Sequence, residues 1–307
     1  MYIKTVKIIM ASLLFFIGSY CFGQEMNNKQ INSGSGSFLM KGGFNHEKDS
    51  IKVHYYKPQD YQSNFSVIIV LPGAERNGDG YRDKWIDLAE KHNLLVLSPS
   101  YSRKYYPKTN HYNLGRLPKS SLINRSSQKS TAKVEWIFDD FDRIFDIAVK
   151  TVGSTEKKYD IFGHSAGAQT AHRLVIFNPE TKVNRIVAAN SGWYTLPDFN
   201  TEFPYGLKGV ALTKEDLKKS FKMNLIILTG ELDNKDETRG DLRNNEQVNI
   251  QGLGRVSRGN FFYKTAIKEA KKLNCTFLWK KKIVKGVGHS SKKMSTAAAE
   301  YLYSTKN

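Results

Sequence analysis

Three uninterrupted apolar runs constrain this chain most: Ser66–Leu71 (SVIIVL), Leu94–Leu97 (LLVL) and Asn224–Leu228 (NLIIL). A strand with one wet face alternates apolar and polar residues, so unbroken runs predict strands buried on both faces. Segments at helical spacing lie between them. Tyr81–His92 sets Trp85, Leu88 and Ala89 on one stripe, and Ser130–Val152 does the same through Trp136, Phe141, Ile144 and Ala148. Further strands are expected at Ser50–Tyr56, Tyr159–Phe162, Asn184–Ala189 and Thr276–Val284. Further helices are expected at Ser165–Ile176, Phe261–Leu273 and Met294–Tyr303. Strands repeatedly separated by helices predict an α/β fold, a mostly parallel central sheet with helices on both faces. Two polar stretches, Tyr101–Lys129 and Asn234–Asn260, read as long loops. Each follows the carboxyl end of a strand, where open α/β sheets bind ligands.

The turn after Tyr159–Phe162 reads Gly163-His164-Ser165-Ala166-Gly167. A strand-to-helix turn this tight strains its central residue, and its flanks must be small to avoid neighbouring backbone. Ser165 is thereby lifted clear of the sheet at a helix N-terminus, where the helix dipole and the Ala166 N–H favour a developing oxyanion. A serine hydroxyl is a poor nucleophile at neutral pH and needs a base held by a third group. In this architecture the chain order is serine, acid, histidine.

Asp233 follows the run Asn224–Leu228, and His289 lies in the glycine-flanked loop Val284–Ser290 after the next strand. Of the other histidines, His46, His54, His92 and His111 precede the serine, His164 sits inside the turn, and His172 lies on the helix behind it. Glu231, Asp236 and Glu237 compete with Asp233, and each reads as a solvated loop charge. A second oxyanion donor is expected from the loop after Ser66–Leu71, with Ala74 as the donor and Glu75 next. Trp193 and Tyr194, with parts of Tyr101–Arg116, are expected to line the substrate pocket; the competing role for Trp193 is a core plug.

Of 307 residues, 40% are hydrophobic and 12% aromatic, enough for a sizeable core and too many for a disordered chain. Lys4 and Lys7 followed by the apolar run Ile8–Phe22 predict a secretory signal peptide cleaved after Gly23. The run falls short of the roughly 20 residues of a spanning helix. Cys21 raises the alternative of a lipid anchor, against which Tyr20 is bulky where that cleavage site needs a small residue. The expected plan is a signal peptide over 1–23, a polar leader over 24–37 and one catalytic domain over 38–307. Two cysteines, Cys21 and Cys275, make no disulfide framework.

The net charge is +18, and the only charged residues before Gly23 are Lys4 and Lys7. The basic character therefore belongs to the domain. It permits association with an anionic envelope or polysaccharide, weakening with salt, and gives no reason to expect nucleic acid. No metal or organic cofactor is expected: no His/Cys set clusters, and Gly252-Leu253-Gly254 lacks the rest of a phosphate-binding loop.

The chain resembles the α/β-hydrolase superfamily, and within it the secreted serine esterases grouped with polyhydroxyalkanoate depolymerases and feruloyl esterases. The resemblance rests on Gly163–Gly167 with His172-Arg173, Arg76-Asn77 with Tyr81-Arg82-Asp83 and Trp85, and Asn190-Ser191-Gly192-Trp193-Tyr194. Gly230–Asp233, Arg255 with Arg258-Gly259, and Gly286–His289 complete it. Many relatives have His-Gly where this chain has Pro72-Gly73. The resemblance implies hydrolysis of carboxylic esters. Rival expectations are a peptidase built on the same triad and a basic protein that binds anionic polymer on a relic hydrolase fold. The second would have no need of a complete, ordered triad.

Overall fold

A computed structural model describes residues 30–43, 46–117 and 136–304. The expected signal peptide, its cleavage site and Cys21 lie outside the described residues, as do residues 118–135, which hold the rest of the first long stretch and the start of the helix expected after it.

The apolar runs form the middle of one eight-stranded sheet. In chain order the strands are β1 (Gly34–Lys41), β2 (Ser50–Lys57), β3 (Ser66–Leu71), β4 (Leu94–Ser100), β5 (Tyr159–His164), β6 (Val183–Ala189), β7 (Asn224–Gly230) and β8 (Lys280–Val284). Their spatial order is β1-β2-β4-β3-β5-β6-β7-β8. β2 runs antiparallel to both β1 and β4, and every other pair is parallel. The register sets Leu71 beside Gly163, Gly163 beside Ala188 and Ala189 beside Leu228. The carboxyl ends of β3, β5, β6 and β7 therefore stand in a row.

The helices are α1 (Gly78–Asp83), α2 (Ile86–His92), α3 (Phe138–Val152), α4 (Ala166–Phe177), α5 (Lys214–Phe221), α6 (Glu246–Asn249), α7 (Arg255–Lys272) and α8 (Ser291–Tyr303). One core layer joins Val67, Ile69 and Leu71 of β3 to Ile144, Leu174, Phe221 and Phe262. The other joins Ile68 and Val70 to Tyr81, Trp85, Leu88, Met294 and Leu302. Successive β3 residues thus enter opposite layers, which explains why the run never alternates. Among the described residues no helix is long and apolar enough to cross a membrane.

The structure departs from the expectations at four places. β1 begins inside the stretch read as a polar leader, with Gly34 beside Lys57 and Ser35 beside Tyr56. An edge strand buries little, and only Phe38 and Met40 are buried along it, so it carries no apolar run. The helix expected at Tyr81–His92 is two, broken at the fully buried Trp85, which packs against Phe162. Inside the stretch read as the loop Asn234–Asn260 lie α6 and the start of α7. Finally α5, closed by a Thr213–Asp216 capping box, was not expected at all.

The last turn of α8 is tied down at the amino ends of two strands. Arg185 Nη1 donates to Leu302 O at 2.6 Å, and Tyr303 Oη donates to Asp160 Oδ2 at 2.8 Å. β1 runs in the same direction as β4, so Gly34 enters at that same end of the sheet.

Candidate active site

Ser165 adopts φ 56°, ψ −113°, the strained geometry that the tight turn requires. A Cβ on Gly163 would overlap Gly167 O, and one on Gly167 would overlap Leu71 O. The two glycines thus let α4 start against the end of β3. Every other residue from 159 to 177 is buried; Ser165 alone reaches the surface. Its side chain makes no capping bond to α4, so the hydroxyl has no structural duty there.

Across the carboxyl ends, Asp233 follows β7 and His289 follows β8. His289 Nδ1 lies 2.6 Å from Asp233 Oδ2. Asp233 is fully buried, and its other oxygen accepts from Arg255 Nη1 at 2.9 Å. The two loops are bound together by Asn190 at the end of β6. Its Nδ2 donates to Gly288 O at 3.1 Å, and its Oδ1 accepts the Gly230 N–H at 2.7 Å. Glu237 accepts the His289 backbone N–H at 2.8 Å. The Arg239 guanidinium beside it holds the Glu237 carboxyl far below the usual range.

The rival acids are elsewhere employed. Glu231 accepts from Lys285 and from the Gly286 N–H, while Asp236 is exposed beside Lys235. Among the rival histidines, His172 is locked in the core between Ala168 O and the Thr195 N–H. His164 is buried with its Nδ1 3.0 Å from Tyr81 Oη, and its ring lies 4.6 Å from that of His289. Burial first, and then the neighbouring His289, push the His164 pKa well down.

The loop after β3 approaches the serine closely: a Cβ on Gly73 would lie 3.7 Å from Ser165 Cβ. Arg76, at φ 56°, closes this turn through an N–H to Gly73 O bond of 3.0 Å. Its guanidinium caps the carbonyls of Tyr101, Tyr106 and Lys108, fixing the loop to the stretch after β4. Among the described residues neither Ala74 nor Ala166 spends its N–H on a backbone acceptor.

Trp193 and Tyr194 do not present the pocket surface expected of them. Tyr194 is fully buried and stacks on Phe262 at 4.4 Å. Gln251 pulls it inward by bonding both its N–H and its C=O. Trp193, 3% exposed, has the guanidinium groups of Arg173 at 4.2 Å and Arg243 at 4.8 Å over its ring. Both are packing residues of the wall behind the site.

Sequence reasoning gave Arg255, Asn190, Glu237 and Gly240 no role in the site, although Asn190 and Arg255 stand in motifs of the resemblance and Glu237 was weighed as a rival acid. For Arg255 a physical signal existed as well. Arg255 shares a helical face with Gly259, Phe262 and Ala266, so a helix starting there must bury it. Gly240 has φ 69°, and a Cβ on it would lie 3.0 Å from His289 Cδ2 and 3.1 Å from Nε2. Gly240→Ala is expected to cost about 1 kcal/mol of stability. By displacing the imidazole it should lower kcat/KM about tenfold to a hundredfold. Ester turnover and a thermal melt check this; unchanged turnover would mean that Gly240 does not constrain the imidazole.

Among the described residues no three His, Cys, Asp or Glu side chains converge as a metal-binding group. No family model matches the chain, and no curated protein does. Solved structures do. Poly(aspartic acid) hydrolase-1 from Sphingomonas sp. KT-1 is 36% identical, with a TM-score of 0.78 over 89% of this chain and 99% of that one. LpqC, a poly(3-hydroxybutyrate) depolymerase from Bordetella parapertussis, is 29% identical, with a TM-score of 0.79 over 89% and 90%. FphF, a fluorophosphonate-binding serine hydrolase of Staphylococcus aureus, shares the fold at 13% identity, with a TM-score of 0.55 over 89% and 100%. Identity of this extent over nearly whole chains, joined to the sheet order and the strained serine turn, makes this protein a member of the α/β-hydrolase superfamily of serine esterases and depolymerases.

Proposed function

We propose that the protein is a secreted serine hydrolase that cleaves carboxylic esters through an acyl-enzyme, with Ser165, His289 and Asp233 as its triad. The observation that carries this reading is the 2.6 Å contact of Asp233 with His289 Nδ1, on loops beside the strained Ser165 turn. With its Nδ1–H given to Asp233, the imidazole keeps Nε2 unprotonated and able to take a proton. Ser165 Oγ attacks the carbonyl carbon as its proton passes to His289 Nε2. The carbonyl oxygen becomes an oxyanion held by the Ala74 and Ala166 N–H groups, each such donor being worth about 100- to 1000-fold in turnover. Collapse of the adduct breaks the ester C–O bond, and the leaving alkoxide takes the proton from His289. A water then repeats the sequence on the acyl-enzyme and releases the acid. Secretion rests on the signal-like sequence of residues 1–23.

A second reading, hydrolysis of amide bonds in an anionic polymer, is favoured by two observations. The chain carries a net charge of +18, and exposed Arg103 and Arg239 stand beside Ala74 and the His289 loop. The 36% identical relative is a poly(aspartic acid) hydrolase. The test is a fluorophosphonate probe with peptide mapping, followed by turnover on a nitrophenyl ester, hydroxybutyrate oligomers and poly(aspartic acid). Labelling at Ser165 with ester turnover alone supports the first reading. Poly(aspartic acid) cleavage that falls as salt rises supports the second. A chain that takes no label and turns over none of the three is no hydrolase of this kind.

A further inference from the structure

We infer that Arg255 is a positioning residue that fixes His289 through Asp233 and Gly240; this rests on the triad reading above. Arg255 opens α7 and is 1% exposed. Its guanidinium divides between two tasks. Nη1 takes Asp233 Oδ1 at 2.9 Å, leaving Oδ2 for His289 at 2.6 Å. Nη2 donates to Gly240 O at 3.0 Å and to Asp241 O at 3.4 Å. One planar fork thus holds the carboxylate that orients the imidazole and the backbone that lies against its Nε2 edge. A point charge could not span both.

The helix start is itself anchored to the acid. Val256 donates its N–H to Asp233 O at 3.1 Å, and Gly254 abuts the Asn234 backbone so closely that a Cβ would overlap it. The guanidinium has little freedom to swing away from the carboxylate.

The experiment measures kcat and KM on a nitrophenyl ester for the full chain and for Arg255→Met, Arg255→Lys and Arg255→Ala, with a thermal melt of each. In Arg255→Met kcat should fall about tenfold to a hundredfold while KM stays near that of the full chain. Arg255→Lys keeps the charge and loses the fork, so its kcat should fall as well. Millimolar guanidinium ion should restore part of the kcat of Arg255→Ala. It also serves if Arg255→Met does not fold. A kcat that stays in place in Arg255→Met, or an Arg255→Ala that guanidinium does not rescue, would leave Arg255 a packing residue and overturn the inference. Failure of the triad reading is seen separately: Ser165→Ala would keep its turnover whatever Arg255 does.

Discussion

Ser165→Ala is expected to lower kcat by about 10⁴- to 10⁶-fold while leaving the fold intact. The size follows from the role of the group: without Oγ no acyl-enzyme forms, and only the oxyanion donors and substrate binding remain to assist water. The intact fold follows from the structure. The hydroxyl caps nothing on α4, and the residue reaches the surface among buried neighbours. The strained φ of 56° is held by Gly163 and Gly167 on either side and is no worse for alanine than for serine. The melt should therefore move by no more than about 0.5 kcal/mol in stability. Steady-state kinetics with active-site titration provide the check. Turnover above about one part in a hundred would place the nucleophile elsewhere, since losing it removes the covalent route entirely.

Asp233→Asn should fail in two separate ways. An amide facing Nδ1 no longer selects the tautomer with Nε2 free, and kcat should drop about 10⁴-fold. The same change takes the carboxylate from Arg255. Both partners are almost wholly buried, so water does not screen the loss. Removing one side of a buried ion pair costs about 3–5 kcal/mol, a large part of the roughly 5–15 kcal/mol by which domains are stable. A melt and a denaturant titration read the second effect and initial rates the first. The double variant Asp233→Asn with Arg255→Met should regain much of the stability and none of the activity. Recovery of both together would mean that Asp233 serves the fold alone.

What could be read in the sequence was whatever announces itself by apolar period or by forced small residues. β3 falls on Ser66–Leu71, the bounds its unbroken run predicts, because both of its faces enter a core layer. The Ser165 turn was legible because its glycines are required by backbone overlap and not by taste in side chains. Chain order and strand ends singled out Asp233 and His289, whose side chains meet at 2.6 Å. Residues buried by hydrogen bonding were hidden. Arg255, Arg258 and Arg173 are buried, yet they are written in the letters of a wet surface. Periodicity therefore started α7 at Phe261, six residues late. Trp193 and Tyr194 erred in the opposite direction. Aromatic residues near a strand end suit a pocket wall, but Gln251 and two guanidinium groups commit them to the interior. Which of two buried roles an aromatic takes depends on partners far along the chain.

The placement of the start of β1 and the end of α8 has a mechanical meaning. Gly34 enters, and Tyr303 leaves, at the amino ends of the parallel strands, while Ser165, Asp233 and His289 stand at the carboxyl ends. The strands between are about 20 Å long. Anything fastened to either end grips the molecule from behind. A tether, a carrier or a solid support attached there leaves the face with Ser165, Asp233 and His289 turned toward the surroundings.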